Sequence, residues 1–129
     1  ETFMNHNAAR CNSSQLFKGI VTDEATADFY GLIKVSQDCQ QTTAYQECNH
    51  LLLSDNCRAH ARPQLEIYAD DVKCSHGSTF GHLNQDELFY LRSRGVSLEA
   101  ANKLLQEAFL APVLEMIEPD TQYELAKMP

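Results

Sequence analysis

Two hydrophobic patterns divide the chain. Through residues 1–83 the apolar positions fall in short runs with polar neighbours, and no long window carries a helical period. Residues 16–21, 29–35, 51–53 and 65–68 are four such runs, with the period of two expected of half-buried strands. Turn signals lie between them at Asp23-Glu24, Gln37-Asp38, Ser54-Asp55-Asn56 and Asp70-Asp71. A small or apolar residue follows each turn: Ala25, Cys39, Cys57 and Val72, at gaps of 14, 18 and 15 residues. This is an imperfect repeat. A meander sandwich accommodates it, and so does a parallel β-helix, where each coil stacks equivalent side chains on the next. The spacing by itself leaves both open. In the β-helix the residues after the turns point into a narrow interior.

From residue 84 the period lengthens. Asn84-x-x-Glu87 has the layout of a capping box. Leu88, Phe89 and Leu91 are the expected apolar contacts of a short helix that Gly95 ends. Ser97 opens a longer helix with an apolar stripe at Ala101, Leu104, Leu105, Ala108, Phe109 and Val113. Pro112 cannot donate to the carbonyl of Ala108, so a kink is expected there. Pro119 ends the pattern, and residues 120–129 are expected to be a frayed turn or disordered. The predicted division is a β core over 1–83 and an α-helical region over 84–129.

The 129 residues suit one domain-sized unit, and the net charge of -8 is shared equally between 1–83 and 84–129. An acidic balance argues against a nucleic-acid partner, because phosphate binding needs a basic face. No apolar run approaches the ~20 residues that span a bilayer, and no secretory signal is present. The chain opens Glu1-Thr2-Phe3 and goes directly into strand-like sequence, which suggests a piece of a longer protein. Five cysteines, an odd number without a CxxC pair, read as free thiols in a reducing cytoplasm.

The chemistry concentrates in residues 63–81. A short strand is expected over 72–76, closed by Gly77, with Val72, Cys74 and His76 on one face. A thiol and an imidazole pointing the same way are a candidate metal-ligand pair, suited to iron, an iron–sulfur cluster or zinc. Two ligands do not close a site, so further donors must come from this chain or from another. The bland alternative is a buried thiol beside a hydrogen-bonded histidine. As a nucleophile and base the two are too far apart, about 6–7 Å at Cβ on a ~3.3 Å rise. No phosphate loop, GxSxG or HExxH occurs, so no enzyme is expected. Asp70 and Asp71 could hold a hard cation, but are more simply solvated. Cys39 and Cys57 read as packed small residues and Cys11 and Cys48 as structural. His6, His50, His60 and His82 share no spacing and receive no role; His50 and His60 are expected on the outside of coils.

Residues 64–81, above all Asp70-Asp71-Val72-Lys73-Cys74-Ser75-His76-Gly77, and the later Leu88-Phe89-Tyr90-Leu91-Arg92-Ser93-Arg94-Gly95 closely resemble the C-terminal part of the SufD family. SufD and its relative SufB are scaffold proteins of iron–sulfur cluster assembly. The resemblance runs through nearly the whole chain, weakens after about Glu118, and is broken at Pro112. It implies a right-handed parallel β-helix, here its terminal coils, followed by a small helical region. It places His76, with Cys74, at the junction with a SufB-like subunit, near a nascent cluster that is transient and shared with that partner; the isolated chain is expected to hold none. The helical part would dock a SufC-like ABC-type ATPase, with Phe89, Tyr90, Arg92 and Arg94 carrying interface character. Alone, the chain is expected to form a homodimer through the strand around 72–76. A SufB-like scaffold shares this plan, although SufB-like chains carry a Glu-His variant near the motif. A purely structural β-helix domain with no metal role is the other alternative. A polysaccharide-active β-helix enzyme would need carboxylates clustered on one coil face, and none are so spaced.

Overall fold

The computed structural model describes residues 1–117. Six strands come first: β1 (Thr2–His6), β2 (Asn12–Val21), β3 (Thr26–Val35), β4 (Thr42–Leu52), β5 (Arg58–Ile67) and β6 (Val72–His82). Two helices follow, α1 (Gln85–Ser93) and α2 (Leu98–Leu114). The chain divides into two compact units, Glu1–Gly81 and a second beginning at His82.

In the first unit consecutive strands alternate between two three-stranded sheets, ordered β1-β3-β5 and β2-β4-β6. The pairings β1–β3, β2–β4 and β3–β5 are all parallel. A meander sandwich is thereby excluded, since its neighbours are antiparallel. Thr2 lies opposite Gly31, Asn12 opposite Thr43 and Thr26 opposite Arg58, offsets of 29, 31 and 32 residues. The repeat of 14–18 residues in the sequence is thus one strand with its turn, and two of them bring the chain back beside itself.

Parallel stacking superposes side chains. Met4, Ile33 and Leu65 are in register, and so are His6, Val35 and Ile67. Ile33, Val35, Cys39, Ala44 and Ala69 form the buried core, with Met4, Leu65, Val72 and Cys74 packed against it. The strands end in turns where Arg10, Asp23 and Gln41 adopt positive φ (58°, 57° and 61°). Of the residues that follow turns, Cys39 and Cys57 are buried and Val72 half-buried, but Ala25 is exposed. Each buried thiol donates to backbone carbonyls: Cys39 to His6 at 3.1 Å, and Cys57 to Ser54 at 3.1 Å and Val21 at 3.3 Å. Both therefore tie a turn to an earlier strand, beyond filling space.

Strand boundaries differ from the sequence reading: β2, β3 and β5 begin at Asn12, Thr26 and Arg58, ahead of their apolar runs, and β4 and β6 differ as well. β4 begins at Thr42, nine residues before the Leu51–Leu53 run, because Thr42, Ala44, Gln46, Cys48 and His50 alternate inward though only Ala44 and Cys48 read as apolar. β6 does not close at Gly77 but continues to His82. Asp71 accepts from the Gln41 N–H at 2.6 Å through its carbonyl and donates its own N–H to Gln40 Oε1 at 2.8 Å. These bonds anchor the start of β6 on the turn between β3 and β4.

The helical unit follows its local signals closely. Asn84 Oδ1 accepts from the Asp86 N–H at 2.9 Å, and Ser97 Oγ from the Ala100 N–H at 3.2 Å. Gly95 has φ of +89°. Its N–H bonds the Arg92 carbonyl at 3.0 Å, and the Val96 N–H bonds that of Leu91 at 3.2 Å, the paired bonds of a Schellman ending. Pro112 does not break α2, which runs two residues further; only its final turn forgoes a bond to Ala108. Phe89 is not a packing contact but 73% exposed, and of the α2 stripe Ala101 alone is buried. The expected end at Pro119 and the fate of 120–129 lie outside the described residues.

Candidate functional site

β6 is an edge strand in the order β2-β4-β6. Its register on β4 follows from three contacts. Thr79 Oγ1 donates to Asn49 Oδ1 at 2.6 Å, the His50 and Phe80 rings stack at 5.6 Å with planes 10° apart, and the Ala44 backbone bonds the Cys74 thiol. Each pair is thirty residues apart, so Cys74 stands against Ala44, His76 against Gln46 and Ser78 against Cys48.

Cys74 and His76 share a face by strand alternation, but burial separates them. Cys74 is half-buried on the Ile33 cluster, and burial pushes its thiol up, partly offset by the Ala44 backbone bond. From Ser75 to His82 β6 is exposed, His76 included. The structure thus places a protonated, packed thiol beside an accessible imidazole. Among the described residues no three His, Cys, Asp or Glu side chains gather as a metal site. Asp70 and Asp71 are both exposed.

The same inner face holds polar residues that the sequence reading passed over. Gln46 is buried, and its Nε2 donates to Gln15 Oε1 at 3.0 Å, while its own Oε1 has no partner. Gln15 and Gln46 are opposite in register, so the bond is one rung of a side-chain ladder. His6, also buried, lies 2.9 Å from Ser13 Oγ through Nε2. His50 is buried too, contrary to its expected outer position, whereas His60 is exposed as expected. The His50 Nδ1 lies 3.7 Å from Cys48 Sγ. The signal that could have found this pair is its spacing: Cys48-Asn49-His50 repeats the Cys-x-His pattern of Cys74-Ser75-His76.

Burial pushes the Cys48 thiol up and the His50 imidazole down. Both groups are therefore neutral, and the thiol and Nδ1 share a hydrogen bond whose direction the imidazole tautomer sets. The linkage sign follows. The unfolded chain protonates His50 near its ordinary value of about 6.5, and the folded chain only at lower pH. This contribution to stability is complete above about pH 6.5 and is lost as pH falls below it. Urea unfolding midpoints should drop on acidification through that range, and less steeply in His50→Gln; equal slopes would refute the assignment.

Within the helical unit, α1 and α2 enclose an open apolar groove of about 470 Å³, lined chiefly by Tyr90, Leu91, Leu104, Leu105 and Ala108. Arg94 lies over the Tyr90 ring, 5.0 Å from its centroid. No helix of the described residues is long and apolar enough to cross a membrane.

Comparison with known proteins bears on both units. Residues 1–109 match the family model described as the SUF system FeS cluster assembly, SufBD core domain. The iron-sulfur cluster assembly protein SufD of Escherichia coli is 44% identical over 119 residues, covering 92% of this chain and 28% of that protein. An iron-sulfur cluster assembly SufBD family protein of Synechocystis is 45% identical over 114 residues (88% and 25%). SufD of Bacillus subtilis is 38% identical over 96 residues (74% and 22%). The chain therefore spans about a quarter of the length of these relatives. A match that begins at residue 1 and ends within α2 covers the two-sheet unit together with the first helix, and makes this chain a member of the SufBD family of iron–sulfur cluster assembly proteins.

Proposed function

We propose that the chain forms the terminal coils of a right-handed parallel β-helix and a helical C-terminal region in a non-catalytic, cytoplasmic scaffold for iron–sulfur cluster assembly. In this reading β6 pairs with a SufB-like subunit, and His76, with Cys74 behind it, stands at the junction beside a nascent cluster shared with that subunit. The cluster is cargo, held in transit. The observation that carries the reading is the state of β6: an edge strand, exposed from Ser75 onward, presenting an accessible imidazole next to a thiol. An unpaired strand edge is a template for another chain. The similarity to SufD proteins points the same way.

The helical unit is the docking surface for a SufC-like ATPase in this reading, supported by the apolar groove and by the exposed Phe89 and Tyr90. Without a partner, the β6 edge pairs with a second copy. Sedimentation should then give a dimer mass, and a monomer persisting at high concentration would count against it.

The decisive test compares iron and acid-labile sulfide in the purified complex, co-expressed with SufB-like and SufC-like partners, for wild type and His76→Ala. The complex should assemble while cluster content falls about tenfold or more, the scale of losing a ligand or its support. Unchanged content in an intact complex would make His76 structural and sink the cluster assignment.

A further inference from the structure

We propose that Gln46 is a positioning residue for His76: its buried side-chain carbonyl accepts one ring N–H of that histidine and so fixes which nitrogen faces outward. The inference deepens the cluster role given to His76 above and, in its positioning half, rests on it.

Gln46 holds an acceptor with nothing to accept. The residue is 2% exposed, and its Oε1 has no hydrogen-bond partner. A buried carbonyl left without a donor is costly and uncommon. The amide is also held in place. Its Nε2 donates to Gln15 Oε1 on β2 at 3.0 Å, and its end atoms crowd the place that a Cβ on Gly31 would take. The two ends of an amide diverge, so with Nε2 committed to β2 the Oε1 faces away from that strand. The neighbour on the opposite side of β4 is β6.

Elimination leaves His76 as the donor. Beside Gln46 in register stand Gln15 on β2 and His76 on β6. Ala44 and Gly31 carry no side-chain donor. The Cys48 thiol is engaged with His50 Nδ1. Cys74 packs on the Ile33 cluster and meets the Ala44 backbone. Ser78 stands against Cys48, a diagonal position ~7–8 Å from Gln46 that only long side chains bridge. His76 starts from the adjacent ladder position, ~4.8 Å away. Its ring is exposed, and rotation of the side chain brings one N–H to the waiting Oε1. The other ring nitrogen then carries its lone pair on the outer edge, toward solvent. Ligating histidines hold their second N–H on a fixed acceptor in this way, which sets both tautomer and ring orientation.

The test labels the histidines of the full-length, metal-free protein with nitrogen-15 at about pH 8, where a free imidazole is neutral and exchanges between tautomers. His76 is assigned as the signal lost in His76→Ala. Two-bond proton–nitrogen correlations should show one tautomer of His76 in wild type and a mixture in Gln46→Met, which keeps the length and removes the acceptor. Circular dichroism checks the fold, and Gln46→Ala replaces the methionine variant if that one fails to fold. In the complex with SufB-like and SufC-like partners, Gln46→Met should lower cluster content by about tenfold and should add nothing in a His76→Ala background. A tautomer mixture in wild type, or a single tautomer that survives Gln46→Met, overturns the hydrogen bond whatever the cluster content. A tautomer lost in Gln46→Met with cluster content unchanged, while His76→Ala abolishes it, overturns the positioning role alone. Unchanged content in His76→Ala overturns the assembly reading and the positioning role with it, and the hydrogen bond is then structural.

Discussion

Ile33→Ala should destabilise the β unit by about 2–5 kcal/mol, a large fraction of the ~5–15 kcal/mol that holds a domain folded. Ile33 has no exposed surface. It lies in register between Met4 and Leu65, so its side chain is the middle layer of a stack spanning three strands of one sheet. Its cluster also contains Ala44, with Val72 and Cys74 packed against it, all from the facing sheet. Truncation removes apolar burial and leaves a cavity that superposed neighbours cannot fill by sliding, because the parallel register fixes them along the strand. Leu65→Ala, at a half-buried position of the same stack, should cost less. Urea unfolding of both variants checks the order, and equal midpoints would mean that the stack does not concentrate stability at its centre. Cys74 rests on this cluster, so Ile33→Ala should also raise its reactivity toward a thiol reagent.

Gly31→Ala is the second large effect, about 1–3 kcal/mol of overpacking. Gly31 does not have positive φ, so glycine is not there for its backbone freedom. It is there for space. A Cβ would overlap Gln46 Oε1 and lie 2.7 Å from Cδ and Nε2. The amide is the end of a flexible side chain, yet it is 2% exposed and bonded to Gln15, so it has nowhere to swing without losing that bond. The prediction separates steric from conformational causes through a double mutant. In a Gln46→Ala background the clash is absent, and Gly31→Ala should become neutral or stabilising by about 0.5–1 kcal/mol, the usual gain of replacing glycine in a strand. Additive penalties in the double mutant would refute the account.

The interior of this protein is therefore specified by pairs of unlike size. Gly31 accommodates Gln46 from the facing sheet, and Gly19 accommodates His50 on the neighbouring strand. Neither glycine nor its polar partner reads as core in the sequence. That is why the sequence marks β4 only at Leu51–Leu53 and gives no sign of a buried His50.

What the sequence determined by itself was mostly local. Gly95 needs only its own φ to end α1, and Asn84 and Ser97 need only neighbouring N–H groups to cap the helices. The turns at Asp23, Gln37, Ser54 and Asp70, and the shared face of Val72, Cys74 and His76, follow likewise from backbone preferences and strand alternation. The Cys-Ser-His run was legible because it is chemically unusual and resembles a known family. The tertiary structure decided whatever depends on residues about thirty apart. Parallel pairing distinguished the stacked architecture from a meander, two arrangements that share the same alternation. It set Gln46 on Gln15, His50 between Gly19 and Phe80, and Cys48 against the imidazole of His50. It also half-buried Cys74 while leaving His76 in solvent, though the two share one strand face. Alternation assigns a side chain to a face, but only the neighbouring strands determine whether that face is covered.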